Sequence, residues 1–306
     1  METKNGQILG SNGGLFTVLT DSGERIGCKA GGRFRHAGRR VLVGDLVTVS
    51  EGEDGCMITA VAERKNALIR PPMANLSRLY IVLSGAAPKT LPLNADKLIA
   101  ICEHERIEPV IVVTKADLDA ASCEALADLY RQAGFLTFVT ASHTGTGVDE
   151  LRREILSAPG LSAFAGASGA GKSSLLNALF PALGLEVGDL SRKIERGKNT
   201  TRAVTVYPLR ELDPTADPAA FLADTPGFTM LDFVEFDFFS LADLPDTFRE
   251  FAPYLSKCLY TDCRHTGDAG CAVCEAVREG KIARSRYESY CSLYNDLKDK
   301  HDWEKK

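Results

Sequence analysis

A glycine loop constrains this chain more than any other feature: "GASGAGKS", from Gly166 to Ser173, has the form G-x-x-x-x-G-K-[ST]. Such a loop holds phosphates only when a buried strand delivers it and a helix leaves it, so that backbone N–H groups and the helix N-terminus converge on the anion. Both flanks are present: "LSAFAG" reads as the strand and "KSSLLNALF" as the helix. Gly166 and Gly171 permit the tight turn, and Ala167, Ser168, Gly169, Ala170 and Ser174 complete the cradle. Lys172 is placed to reach the β and γ oxygens, and Ser173 to ligate Mg²⁺.

Downstream, "AAFLADTPG" ends a strand in Asp224, with Gly227 three residues on. This D-x-x-G pairs a carboxylate that holds a metal through water with a glycine N–H for the γ-phosphate. Between the two motifs lies "RGKNTTR", residues 196–202, in which Thr200 or Thr201 can close on Mg²⁺ as a switch segment.

The base-reading elements come first in the chain. "VIVVTKADL", residues 110–118, is an apolar strand ending in Thr114, Lys115 and Asp117. The two carboxylate oxygens of Asp117 match the N1–H and exocyclic amine of guanine, a bidentate fit that adenine cannot make. Lys115 lies along the purine face in this reading. Thr114 occupies the place usually held by Asn, and its hydroxyl can tie this loop to the phosphate loop. One strand later, "FVTASHTGTG" puts Thr140 and Ala141 where a backbone N–H can receive guanine O6. The order is base strand, base loop, phosphate loop, switch, D-x-x-G, which is the usual order cut and rejoined. A circular permutation of this kind keeps the packed sheet when the old termini lie close together.

What surrounds these motifs divides the chain into three. Residues 1–68 alternate with the two-residue period of strands, in "GLFTVLT", "ERIGCKA", "RVLVGDLVTVS" and "GCMITAVAER", and fit a five-stranded barrel of the oligonucleotide-binding (OB) type. Lys29, Arg33, Arg35, Arg39 and Arg40 fall in a stretch with His36 and Phe34 and no acid. That stretch is either a solvated loop or a set of cationic contacts to a nucleic-acid backbone. A net charge of −5 confines any such contact to a local face. Residues 69–232 alternate apolar strands with helical spacing, an α/β layer fold. Residues 233–306 carry aromatic and acidic residues, a cysteine cluster and a charged tail. No run of about 18 apolar residues spans a membrane and the chain opens on polar residues, so the cytoplasm is expected; the chain is also expected to act as a monomer. There, nine cysteines are free, catalytic or metal-bound. "CLYTDCRHTGDAGCAVC" presents Cys258, Cys263, His265, Cys271 and Cys274. A Cys₃His set holds zinc tetrahedrally, and without a neighbouring general base the metal reads as structural. On spacing alone Cys274 can substitute for another ligand.

In this order the motifs resemble the circularly permuted GTPases that depend on the small ribosomal subunit (RsgA-like), over nearly the whole chain. The resemblance implies a multidomain α/β protein: an OB-type barrel (1–68), a circularly permuted P-loop GTPase domain (69–232) and a zinc-binding C-terminal domain (233–306). It further implies a GTP hydrolase that binds the 30S subunit and 16S rRNA late in maturation and is stimulated by the subunit. The family's zinc spacing, C-x₄-C-x-H-x₅-C, selects Cys258, Cys263, His265 and Cys271. Phe228 stands where many GTPases keep the Gln that orients water, and Asn199 stands at the switch position where this family usually carries His. A carboxamide can position water but cannot take its proton. The competing readings are a P-loop ATPase or small-molecule kinase, and an RNA-binding module with the nucleotide as a structural ligand.

Overall fold

A computed structural model describes residues 3–32, 34, 40–52, 55–184, 204–225 and 240–298. Arg33, Arg35, His36, Arg39, Asn199, Thr200, Thr201, Gly227 and Phe228 lie outside the described residues.

Five strands open the chain: β1 (Thr3–Asn12), β2 (Leu15–Thr20), β3 (Arg25–Ala30), β4 (Leu46–Gly52) and β5 (Gly55–Val61). β1 pairs with β2 and β2 with β3 antiparallel, β3 with β5 parallel, β5 with β4 antiparallel, and β4 returns to β1. The ring therefore closes, which removes the exposed edges that short strands otherwise present. Ile8, Val18, Cys28, Val47, Val49 and Ile58 fill its interior.

The rest of the chain runs as β6 (Ala67–Leu68), β7 (Met73–Ala74), β8 (Leu76–Ser84), α1 (Pro92–His104), β9 (Glu108–Thr114), α2 (Ala120–Gln132), β10 (Thr137–Val139), α3 (Val148–Ser157), β11 (Gly160–Gly166), α4 (Lys172–Leu179), β12 (Thr205–Pro208), α5 (Leu209–Leu212), β13 (Ala220–Asp224), α6 (Ala272–Arg278) and α7 (Arg284–Lys298). The described residues fall into two compact units, one drawn from 1–78, 152–164 and 179–228, the other from 79–151, 165–178 and 229–306.

In the first unit the barrel is continued by β12, whose Thr205 lies opposite Gly10 of β1. On its other side β12 pairs antiparallel with β13, and there Thr205 faces Asp224. β13 runs parallel to β11.

In the second unit β9 lies between β8 and β10. Val110, Ile111, Val112 and Val113 are all fully buried, as a parallel strand covered on both faces must be. The Asp119 side chain caps α2, accepting from the Ser122 N–H at 3.0 Å. The C-terminal part packs Phe248, Phe251 and Tyr290 with ring centroids 5.0–5.3 Å apart. Beside them Arg286 of α7 is fully buried. Its guanidinium donates to Asp96 of α1 at 2.6 Å and to both oxygens of Glu250 at 2.7 and 3.1 Å, and lies 4.6 Å from the Phe248 ring centre. Tyr130 of α2 donates to the same Asp96 oxygen at 3.1 Å. One buried cation thereby fastens α7 to α1 and to α2 through Asp96.

Candidate nucleotide site and metal centre

The phosphate loop begins where β11 ends. At Gly166 φ is +150°, and a Cβ there would lie 2.4 Å from the carbonyl oxygen of Val82, so no other residue fits between the strands. Gly171, φ +90°, makes the turn into α4. The first-turn amides of α4, at Lys172, Ser173 and Ser174, have no partner inside the helix and are open to an anion. Lys172 Nζ donates to the carbonyls of Gly166 and Ala167 at 2.6 and 3.2 Å. Burial pushes this ammonium below the usual lysine range. No carboxylate pairs with it among the described residues, so a phosphate would supply the missing countercharge.

The base-reading strand is bonded directly to this loop. Thr114 is buried, and its hydroxyl donates to Ala170 O at 2.6 Å, with Leu83 O a second acceptor at 3.1 Å. The loop after β9 and the loop after β11 are therefore hydrogen-bonded to each other within the second unit. Lys115 adopts φ +66° and donates from Nζ to Ala87 O at 3.0 Å. A left-handed residue of this kind costs about 1 kcal/mol or more, and it turns the chain so that Asp117 faces outward. The Asp117 carboxylate is exposed and has no partner among the described residues.

The neighbouring loop differs in detail from the sequence expectation. Thr140 N–H donates to Val113 O at 2.7 Å, and Ala141 N–H to Thr146 O at 2.9 Å. Both amides are engaged, that of Thr140 by β9 and that of Ala141 by the turn from 141 to 146, which closes on itself. Ser142, next along, has an N–H without a partner among the described residues. Sequence spacing could not distinguish it from Ala141, since the closing bond joins backbone atoms alone. Asp224 closes β13 in the first unit, and the adjoining Thr225 hydroxyl donates to Phe164 O at 3.4 Å.

The cysteine cluster forms a compact set. The ligand atoms of Cys258, Cys263, His265 and Cys271 all lie within 4.8 Å of one another, and His265 Nδ1 is 3.5 Å from Cys258 Sγ and 3.4 Å from Cys271 Sγ. A zinc tetrahedron with arms of about 2.3 Å to sulfur and about 2.0–2.1 Å to nitrogen has edges near 3.6–3.8 Å, so these residues fit such an ion. His265 reaches the set from a left-handed backbone, φ +59°. Asp268 steadies the loop by accepting from the amides of Arg264 and Thr266. Cys274 stands outside the four: its thiol donates to His265 O at 3.8 Å and meets the Tyr287 hydroxyl at 3.3 Å.

A phosphate loop between strand and helix, tied to a guanine-type reading strand that precedes it in the chain, defines a circularly permuted GTPase. The RsgA GTPase family matches residues 61–234, and the RsgA N-terminal domain matches residues 5–56. The chain belongs to the RsgA GTPase family. It is 38% identical over 302 residues to the small ribosomal subunit biogenesis GTPase RsgA of Caldanaerobacter subterraneus subsp. tengcongensis, covering 98% of each chain. The crystal structure of YjeQ from Thermotoga maritima superposes with a TM-score of 0.81 at 32% identity, over 98% of this chain and 100% of that one. YloQ, described as a circularly permuted GTPase, gives 0.77 at 29% identity, over 98% and 96%.

Proposed function

We propose that this chain hydrolyses GTP during late maturation of the small ribosomal subunit, and that the 30S subunit stimulates the hydrolysis. The observation that carries this reading is the bond from Thr114 to Ala170, which joins base reader and phosphate loop in a chain whose relative is named for small-subunit biogenesis. Asp117, Lys115 and Thr114 select guanine, with the loop that starts at Thr140 and Ala141 beside the base and the Ser142 backbone N–H for O6. Residues 166–174 hold the phosphates. Mg²⁺ arriving with GTP would neutralise charge on the β and γ oxygens, and Ser173, Asp224 and Thr200 or Thr201 would hold it. Gly227 meets the γ-phosphate, and Asn199 orients the attacking water without taking its proton. Zinc at Cys258, Cys263, His265 and Cys271 braces the C-terminal domain (233–306) that follows the GTPase domain (69–232). The barrel (1–68) places Lys29, Arg33, Arg35, Arg39 and Arg40 on 16S rRNA phosphates. The protein works as a monomer in the cytoplasm.

GTP turnover with and without purified 30S subunits tests the proposal. Slow turnover alone and strong acceleration by the subunit are expected; equal rates would remove the stimulation, and preference for ADP over GDP would return the chain to the ATPase class. Under stimulation, Asn199→Ala is expected to lose roughly tenfold to a hundredfold in rate, the scale of a misplaced reacting group. Full activity would move the role to another switch residue or to the subunit. Elemental analysis should return a single zinc per chain, and Cys263→Ala should lose it along with cooperative unfolding of the C-terminal part, because metal affinity here is folding free energy.

A further inference from the structure

Cys274 is the cysteine of the cluster that the metal set leaves without a task. It follows Cys271 in a C-x-x-C, with Cys271 as the N-cap of α6 and Cys274 in its first turn. Its N–H donates to Cys271 Sγ at 3.4 Å, so the backbone of one cysteine lies against the sulfur of the other. Helix geometry places the Cα atoms of an i, i+3 pair about 5 Å apart, inside the span of about 4.4–6.8 Å over which a disulfide closes without backbone movement. A cysteine at a helix start followed three residues later by another is also the sequence pattern of C-x-x-C redox motifs. Cys274 Sγ lies 3.8 Å from His265 O, which holds it beside the ligand sulfur of Cys271.

We propose that Cys271 and Cys274 form a redox pair built onto the metal centre, in which oxidation joins them as a disulfide and releases the metal. This rests on the reading of Cys258, Cys263, His265 and Cys271 as a metal centre. The oxidant is hydrogen peroxide, the smallest peroxide, as residues only 1% and 9% exposed require. The Cys271 thiolate attacks one peroxide oxygen, the O–O bond breaks, hydroxide leaves and takes a proton from solvent, and the sulfur becomes a sulfenic acid. Cys274 then attacks that sulfur, and its thiol proton departs with the sulfenic hydroxyl as water. Two electrons pass from the pair of sulfurs to the peroxide, and the donor set falls from four to three. Without Cys274, the sulfenic acid would climb to sulfinic acid, which reductants do not reverse. The pair thus converts irreversible damage into a reversible loss of metal. The competing bridge is Cys274 to Cys291, which stands one helical turn along α7 from the Tyr287 that meets Cys274; it would leave every ligand intact.

The test uses the full chain. Metal content is measured first, then hydrogen peroxide is added while a chromogenic zinc chelator reads release and unreduced tryptic peptides are weighed. Peptide 265–278 contains Cys271 and Cys274 and no other cysteine, so their disulfide appears as the loss of two hydrogens from one peptide. Release in step with that loss, and recovery with dithiothreitol and added zinc, are expected. Cys274→Ser keeps a small donor toward His265 O, so it should still bind metal; its recovery should fall at least about tenfold as Cys271 is driven to sulfinic acid. Wild-type recovery in this variant, or a Cys274–Cys291 bridge with metal retained, overturns the proposal. Protein that carries no zinc at the outset overturns the metal-centre reading and this inference together, whereas bound zinc without the Cys271–Cys274 disulfide overturns the inference alone.

Discussion

Asp117→Asn is expected to weaken GDP and GTP binding by about 2–4 kcal/mol, on the order of thirtyfold to a thousandfold, and to shift preference to xanthine nucleotides. Guanine presents two donors on this edge, N1–H and the exocyclic amine, and the carboxylate accepts both. The carboxamide offers one acceptor and one donor, so its NH₂ opposes the guanine amine and complements the xanthine oxygen. Since Asp117 is exposed and unpartnered among the described residues, the substitution should leave the melting temperature almost unchanged. Titration with fluorescent GDP and XDP separates the outcomes, and undiminished GDP affinity would remove Asp117 from base recognition.

The second large effect concerns stability. Arg286→Ala should destabilise the protein by about 3–5 kcal/mol, because it strands Asp96 and Glu250 without their cation. Burial already pushes the Asp96 carboxyl above its usual range, and one of its oxygens has no partner. Loss of the guanidinium removes the principal group that opposes this. The reverse design isolates the cause: Arg286→Met combined with Asp96→Leu and Glu250→Leu should recover most of the loss, since no buried charge is then left unpaired. A urea midpoint for Arg286→Ala equal to wild type would mean that water enters the cluster freely.

Much of this was legible in the chain because chemistry and local pattern coincide. The phosphate loop and "TKAD" sit where a strand must deliver them, and the cysteine set announces itself by ligand spacing in irregular chain. Four of the five barrel strands announce themselves by alternation. β1 does not: "TKNGQILGSN" is mostly polar, and it becomes a strand because its backbone groups are claimed by β2, β4 and β12, partners that alternation cannot reveal. The C-terminal tail misleads for a related reason. Its charged composition names no partner, yet Arg286 and Tyr290 of α7 are fully buried, and the residue that makes this tolerable for Arg286, Asp96, lies 190 residues away. The place of Cys274 was equally open on spacing, and its contacts with the His265 carbonyl and the Tyr287 hydroxyl could not be read from the chain.

Thr205 faces Gly10 of the barrel across one ladder and Asp224 across the other. With strands spaced about 4.7–4.9 Å apart, a push on the barrel wall reaches the carboxylate that ends β13 after two steps of about that length, through peptide hydrogen bonds and without any side chain in between. A barrel hung on a loose linker would dissipate such a load; this one shares its stiffness with the strand that leaves residues 185–203. For protein engineering the consequence is a limit on modularity: the barrel cannot be cut out and grafted onto another GTPase as a cassette ending near residue 61, because its first strand is load-coupled to β12, and a graft that omits β12 would carry the barrel over without that connection.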